Sequence, residues 1–302
     1  MSKAKSAVAM KQDVASCFFS AGALRMHALT CGDPDAPPVV LLHGFPELSE
    51  SWRDVLPMLA EAGFFAVAPD LRGYGQTDKP DEGYDIDTLA GDIVALIHAL
   101  GCTRAHVVGH DWGGVISYHL AAFHPESVER LVVVNAPHMS VILRASVSQL
   151  FRSWYVFLFQ IPFLAERLLT QDGGAPIARL LRKSAIDKTR FTRERLAPFT
   201  RNFAERETAR AALAYYRQIF RGLVLDRSLR QRLLRYPKIR APFRLIWGER
   251  DQALGIELTH GLARWFDSPV DVRYLKDAGH FAPIEAPEQV GKLIVEHLRE
   301  TL

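Results

Sequence analysis

The sequence predicts an α/β fold, a mostly parallel twisted sheet covered by helices on both faces and interrupted once by an all-helical insertion. Three observations predict it. Short apolar runs alternate with amphipathic stretches of helical period along most of the 302 residues, the pattern of strands and crossover helices in a doubly covered sheet. Between residues 138 and 240 the strand runs stop and arginine-rich helical spacing takes over. At 106–124 an apolar run enters a glycine-rich turn and leaves as a helix.

In chain order, residues 1–16 carry Lys3, Lys5 and Lys11 among short polar stretches and read as a loose tail. They lack the apolar run and cleavage pattern of a secretory leader. Residues 17–20 and 24–29 make a leading hairpin across Gly22, followed by strands at 39–42, 64–68, 106–108 and 131–134, each too short for a helix and rich in β-branched or aromatic residues. Helices are expected at 52–62, 86–100 and 114–124, where apolar residues recur at helical spacing. After the insertion come strands at 243–247 and 270–275 and helices at 257–265 and 287–298. The expected organisation is therefore a tail at 1–16, a core formed by 17–137 and 241–302, and a helical cap at 138–240 that follows the sixth strand.

Composition narrows the function. The chain is 48% hydrophobic and 24% charged, ordinary globular values that argue against disorder. The greasiest stretch, near 154–164, is short and broken by Gln160 and Pro162, so no transmembrane segment is expected. Cys17, Cys31 and Cys102 are too few and too scattered for a disulfide framework or a four-ligand zinc site. Reduced thiols in a cytoplasmic protein are the expectation, with no metal and no cofactor. The net charge of +3 hides an asymmetry: residues 141–240 hold 21 Lys and Arg against 7 Asp and Glu, leaving 16 basic against 27 acidic residues elsewhere. A solvated basic face is the simplest reading, with peripheral contact to an anionic membrane left open and nucleic acid not expected.

The chemistry starts at the turn after the 106–108 strand, Gly109-His110-Asp111-Trp112-Gly113-Gly114. A strand, a tight turn and a helix with small residues around the central side chain form a nucleophile elbow. Here the reactive position holds Asp111. A serine needs a base before it attacks, whereas a carboxylate is already a nucleophile at neutral pH and can form an alkyl ester with an electrophilic carbon. Immediately after the 39–42 strand comes His43-Gly44-Phe45-Pro46. Gly44 permits close approach to the elbow, Pro46 fixes the turn, through a cis or a trans bond, and the amides of Phe45 and Trp112 can converge on a developing oxyanion. His43 reads as a packing residue without a chemical role.

Taken together, His43-Gly44-Phe45-Pro46-Glu47, Asp70-Leu71-Arg72-Gly73-Tyr74-Gly75 and Gly109 to Gly114 resemble the epoxide hydrolase branch of the α/β-hydrolase superfamily over most of residues 36–300. The Arg72–Gly75 loop marks the fold more than the reaction. The resemblance implies a triad in the order nucleophile, acid, histidine. Gly248-Glu249-Arg250-Asp251 follows the 243–247 strand and Asp277-Ala278-Gly279-His280 follows the 270–275 strand, which puts Asp251 and His280 at the carboxyl edge of the sheet. Glu249 and Asp277 are rivals for the acid but lie off the family position. Asn135 stands where some carboxylate-nucleophile relatives carry their acid, and an amide cannot serve as one. Asp251 would orient His280, and His280 would take a proton from the water that attacks the Asp111 ester.

Opening an epoxide makes an alkoxide, which leaves only if protonated, and a tyrosine in the cap can supply that proton. Tyr155, in Ser153-Trp154-Tyr155-Val156, and Tyr216, in Ala214-Tyr215-Tyr216-Arg217, resemble the two cap tyrosines of epoxide hydrolases, with Tyr215 structural. The implied activity is conversion of a small hydrophobic epoxide, lipid-derived or xenobiotic, to a vicinal diol by a monomer or homodimer. The competing reading is a haloalkane or haloacid dehalogenase, in which Trp112 and Trp154 would bind halide. Against it, haloalkane dehalogenases carry Asn or Glu where this chain has Phe45, and the fluoroacetate type follows its nucleophile with Arg. A lipid-binding protein of the same fold without catalysis is a third reading, disfavoured by the complete candidate triad.

Overall fold

The apolar runs assemble into one eight-stranded sheet in the order β1-β2-β4-β3-β5-β6-β7-β8. The computed structural model describes residues 13–142 and 147–300. The strands are β1 (Ala15–Ala21), β2 (Leu24–Cys31), β3 (Pro38–Leu42), β4 (Phe65–Pro69), β5 (Ala105–His110), β6 (Val128–Val134), β7 (Phe243–Gly248) and β8 (Val270–Leu275). The β1–β2 and β2–β4 pairs are antiparallel and the rest are parallel. Every residue of β4, β5 and β7 is buried, and β6 is buried but for Glu129, because helices cover both faces and leave no solvated side. The edge strand β8 is only partly buried and carries Asp271 and Arg273, charges that blunt an edge against pairing.

Three helices alternate with the first strands: α1 (Leu56–Glu61), α2 (Ile86–Ala99) and α3 (Trp112–Phe123). Asp85 caps α2 by accepting from the Thr88 amide at 3.0 Å. Between β6 and β7 the described residues form α4 (Met139–Ile142), α5 (Val147–Arg152), α6 (Tyr155–Leu158), α7 (Leu164–Ser184), α8 (Arg193–Ala204), α9 (Arg206–Leu225) and α10 (Arg227–Leu234). The chain closes with α11 (Ala282–Glu285) and α12 (Pro287–Arg299). Helix α7 breaks at residues 171–174, where Asp172, Gly173 and Gly174 take positive φ. Among the described residues no helix is long and apolar enough to cross a membrane.

Local details depart from the sequence expectations. Residues 1–12 of the expected tail lie outside the described residues, and β1 begins at Ala15, inside the span expected to be tail. The helix expected at 257–265 is instead two 3-10 turns, Ile256–Thr259 and Leu262–Trp265. Gly261 separates them at φ 71°, and burial of Leu258 and Leu262 supplies the apolar spacing that imitates a helix. The helix expected at 52–62 is likewise a 3-10 turn, Ser49–Trp52, followed by α1, whose second residue is Pro57. Proline suits a helix start and not its interior.

Candidate active site

The carboxyl ends of β5, β6, β7 and β8 bring Asp111, Asn135, Asp251 and His280 together at one edge of the sheet. Asp111 follows β5 at φ 49° and ψ −117°, a conformation strained for a residue with a side chain. The strain turns the carboxylate away from the α3 axis and toward the β3 loop. That turn admits only small neighbours: a Cβ on Gly44 would lie 2.4 Å from the Asp111 Cβ, and one on Gly113 would lie 2.3 Å from the Leu42 carbonyl oxygen. The Phe45 amide donates to Asp111 Oδ1 at 2.8 Å, and the Phe45–Pro46 bond is cis. Trp112, first residue of α3, has an amide without an intrahelical partner. Among the recorded hydrogen bonds it makes none to the Asp111 carboxylate.

His280 stands between two carboxylates. Its Nδ1 donates to Asp251 Oδ2 at 2.8 Å, and its Nε2 lies 3.6 Å from Asp111 Oδ2. Burial pulls the imidazole toward neutrality, but Asp251 and Asp111 outweigh it and hold its pKa well above the ordinary histidine value. Burial likewise raises Asp111, and the facing His280, the more distant His110 and the Phe45 amide outweigh it, so its pKa falls below the usual carboxylate range. The resting site is therefore an imidazolium between two carboxylates. Asp251 is fixed at both oxygens: Oδ1 accepts the amides of Ala253 and Leu254 at 2.8 Å each, and Oδ2 also accepts from Asn135 Nδ2 at 2.8 Å. The rival acids are elsewhere: neither Glu249 nor Asp277 forms a recorded hydrogen bond or ion pair with His280.

Asn135 thus does more than fail to be an acid. At φ 42°, a conformation asparagine tolerates better than most residues, its Oδ1 accepts from the Gly248 amide at 3.0 Å while its Nδ2 holds Asp251. It ties β6 to β7 across the site. Two further residues hold the His280 loop. His110 Nε2 donates to the His280 carbonyl at 2.8 Å and Nδ1 donates to Glu47 Oε2 at 2.6 Å. Burial raises Glu47, but His110 outweighs it and keeps the carboxyl ionised. Glu285 accepts the amides of Gly279 and Phe281 on either side of His280, both at 3.2 Å, and that of Ile186 from the helical insertion at 2.9 Å. Sequence reasoning missed Glu285 because its partners are backbone amides, which leave no mark on residue identity. His43 packs as expected, its Nδ1 donating to the Gly44 carbonyl at 2.9 Å and its Nε2 accepting from the Leu71 amide at 3.0 Å.

Two tyrosines of the helical insertion, Tyr155 and Tyr216, lie over this edge. The Tyr216 ring packs against Trp112 at 5.0 Å and Phe45 at 5.4 Å, directly over the two residues whose amides flank Asp111. Tyr155 meets Tyr216 edge-on at 6.2 Å. Burial above all, and then the Asp111 charge, pushes both phenols up, with the Asp251 charge adding to the effect on Tyr155; both hydroxyls are protonated at neutral pH. Tyr215 turns the other way and donates to the Arg72 carbonyl at 2.7 Å. Arg217 locks the two tyrosine segments together: it pairs with Glu166 at 2.5 Å and donates through Nε to the Phe159 carbonyl at 2.8 Å. Among the described residues no cluster of three metal-binding side chains occurs.

Comparison with known proteins agrees with this architecture. Residues 37–287 match the family model described as the alpha/beta hydrolase fold. The chain is 34% identical over 287 residues to mouse epoxide hydrolase 3, covering 92% of this chain and 75% of that one. It is 30% identical over 312 residues to epoxide hydrolase A of Mycobacterium tuberculosis, covering 91% and 94%. The crystal structure of Bacillus megaterium epoxide hydrolase with an inhibitor superposes with a TM-score of 0.84 at 25% identity, covering 94% of this chain and all of that one.

Proposed function

The chain belongs to the epoxide hydrolase branch of the α/β-hydrolase superfamily, and from that membership we propose that it converts a small hydrophobic epoxide to a vicinal diol through a covalent ester on Asp111. One observation carries the proposal. A carboxylate sits at the strained elbow with one oxygen on the Phe45 amide and the other toward His280, beneath two buried phenols.

In the first step Asp111 Oδ2 attacks an epoxide carbon and the carbon–oxygen bond breaks. The departing oxygen takes a proton from Tyr155 or Tyr216, leaving a tyrosinate that the second hydroxyl helps to stabilise. The helical segment 138–240 acts as the lid that carries these donors and keeps bulk water from the developing charge. Esterification abolishes the Asp111 charge, one of the two that raise His280. The imidazolium then gives its proton to the tyrosinate, restoring the phenol and leaving a neutral imidazole as the base. In the second step His280 Nε2 takes a proton from water, whose oxygen attacks the Asp111 carbonyl carbon. The oxyanion forms on Oδ1, held by the Phe45 amide with the Trp112 amide as second donor. On collapse the ester carbon–oxygen bond breaks, the departing alkoxide takes the proton of the hydroxyl added from water, the diol leaves with the carboxylate restored, and His280 is again the resting imidazolium. The sum is epoxide plus water to diol.

The test is a single turnover with excess enzyme in heavy-oxygen water. The first diol should carry unlabelled oxygen derived from Asp111, with label appearing in the carboxylate. Label in that first diol would mean direct attack by water and would overturn the ester.

A further inference from the structure

The exposed face of the helical insertion formed by α5, α6 and the end of α9 is apolar and positively charged together. Among the described residues, Phe151 is 77% exposed, Trp154 62% and Leu225 80%. Phe151, Trp154 and Phe157 follow one another at one-turn spacing, with the Trp154 amide donating to the Phe151 carbonyl and the Phe157 amide to the Trp154 carbonyl. Phe157 meets Phe220 of α9 edge-on at 5.9 Å, and exposed Val224 follows one turn later on the same helix. The two segments therefore form one ridge. Isolated exposed apolar residues are normal, but a contiguous aromatic ridge is a surface made for contact.

Charge identifies the partner. Residues 147–165 contain one charged side chain, Arg152, and residues 208–225 contain Arg210, Arg217 and Arg221 with no acid. Arg210 and Arg217 are paired with Asp81 and Glu166. Arg152, Arg221 and Arg227 are exposed and have no ion partner among the described residues. A second copy of the chain docking by a two-fold axis would set these arginines against one another. A lipid bilayer with anionic headgroups satisfies both features: aromatic rings sit at the depth of the headgroups, and arginines beside them meet phosphate. We propose that this ridge docks the protein on an anionic lipid bilayer. The inference does not depend on the ester mechanism, because it uses exposed side chains to which that mechanism gives no role.

The experiment is co-sedimentation of the full chain with vesicles of phosphatidylcholine alone or of phosphatidylcholine with phosphatidylglycerol at about one part in three, enough negative surface to attract a basic patch. The chain should pellet with the mixed vesicles and stay in solution with the neutral ones. Raised salt should weaken binding. Arg221→Gln with Arg227→Gln should weaken it about ten- to thirty-fold, from the contribution of each basic residue near such a surface. Phe151→Ser with Leu225→Ser should reduce it further, while turnover of a water-soluble substrate stays at the parent value. Three results would overturn the proposal: no pelleting with the mixed vesicles, equal pelleting with both kinds, or pelleting unchanged by either pair of substitutions. A parent that elutes as a dimer and becomes monomeric in the Phe151/Leu225 variant would also overturn it, assigning the ridge to self-association. The comparison of the two vesicle types uses the parent protein, so the test stands even if a variant fails to fold.

Discussion

The sheet edge and the helical insertion hold their functional groups by different means. At the sheet edge each group is fixed by directional hydrogen bonds: Asp111 by the Phe45 amide, Asp251 by two amides and the Asn135 side chain, and the His280 loop by the side chains of Glu285 and His110. In the insertion Tyr155 and Tyr216 are placed by ring packing, and the bonds that fix their segments run through Arg217 one residue away. Directional bonds fix an atom to tenths of an ångström, whereas ring packing fixes a plane and leaves the hydroxyl some freedom. On the proposed mechanism the first suits an aligned nucleophile, and the second suits donors that follow the departing oxygen of substrates of varied shape. Among the described residues the insertion also carries most of the exposed large apolar side chains.

Substitutions can break this contrast at graded cost. The largest effect is expected from Asp111→Asn, which removes the nucleophile while keeping its shape; turnover of an epoxide should fall about ten-thousand-fold or more, the scale for loss of a nucleophile. Measurable ester formation in that variant would remove Asp111 from its role. Next is His280→Gln, which should slow ester hydrolysis about a thousand-fold and ester formation far less. Mass spectrometry of the denatured variant after exposure to substrate should find the adduct on Asp111; an unmodified nucleophile in a variant that still binds substrate would count against the division of labour.

The tyrosines probe the other side of the comparison. Each single Tyr→Phe change at 155 or 216 should slow alkylation about ten- to a thousand-fold, and the double change should leave almost none, since neither hydroxyl then remains for the departing oxygen. Rapid-mixing measurements of alkylation, with a folding check, decide it. A double variant as fast as the parent would make both residues packing groups, and halide release from a haloalkane in place of diol formation would favour the dehalogenase reading. Asn135→Ala strands both the Asp251 carboxylate and the Gly248 amide: about 1–3 kcal/mol of stability should be lost on unfolding in denaturant, and ester hydrolysis should slow about ten-fold with alkylation unchanged.

The smallest effect is in pH. Because the Asp111 pKa lies below the usual carboxylate range, the group stays ionised as pH falls from 7 to 5, and alkylation should change by less than about two-fold. Ester hydrolysis needs neutral His280. Since Asp251 still raises that group after Asp111 is esterified, hydrolysis should weaken as pH drops. Parallel profiles for the two steps, obtained from single-turnover kinetics, would break the assignment.

Much of the sheet edge was legible because its signals are local. Asp111 is marked by small residues on both sides, and Asp251 and His280 each follow an apolar run by a few positions, so chain order alone puts them at the same edge. The insertion was legible only as helical and basic. The pairing of Tyr155 with Tyr216 spans 61 positions of sequence and depends on how α6 meets α9; the resemblance pointed to both residues, while their spatial relation had to come from packing. The 257–265 stretch misled because buried Leu258 and Leu262 have helical spacing while Gly261 turns the backbone left-handed.

The sequence by itself determined the alternation of strands and helices, the carboxylate at the turn after β5, the chain order of Asp111, Asp251 and His280 and the concentration of positive charge between 141 and 240. Each is written in residue type and short-range spacing, which one chain carries without reference to its partners. Only the tertiary structure decided that Asn135 holds Asp251, that Glu285 accepts the amides flanking His280, and that Arg217 joins the two tyrosine segments. Those arrangements join residues far apart in the sequence, several of them through backbone amides and carbonyls that every residue supplies alike, so that folding, and not short-range spacing, selects which of them meet.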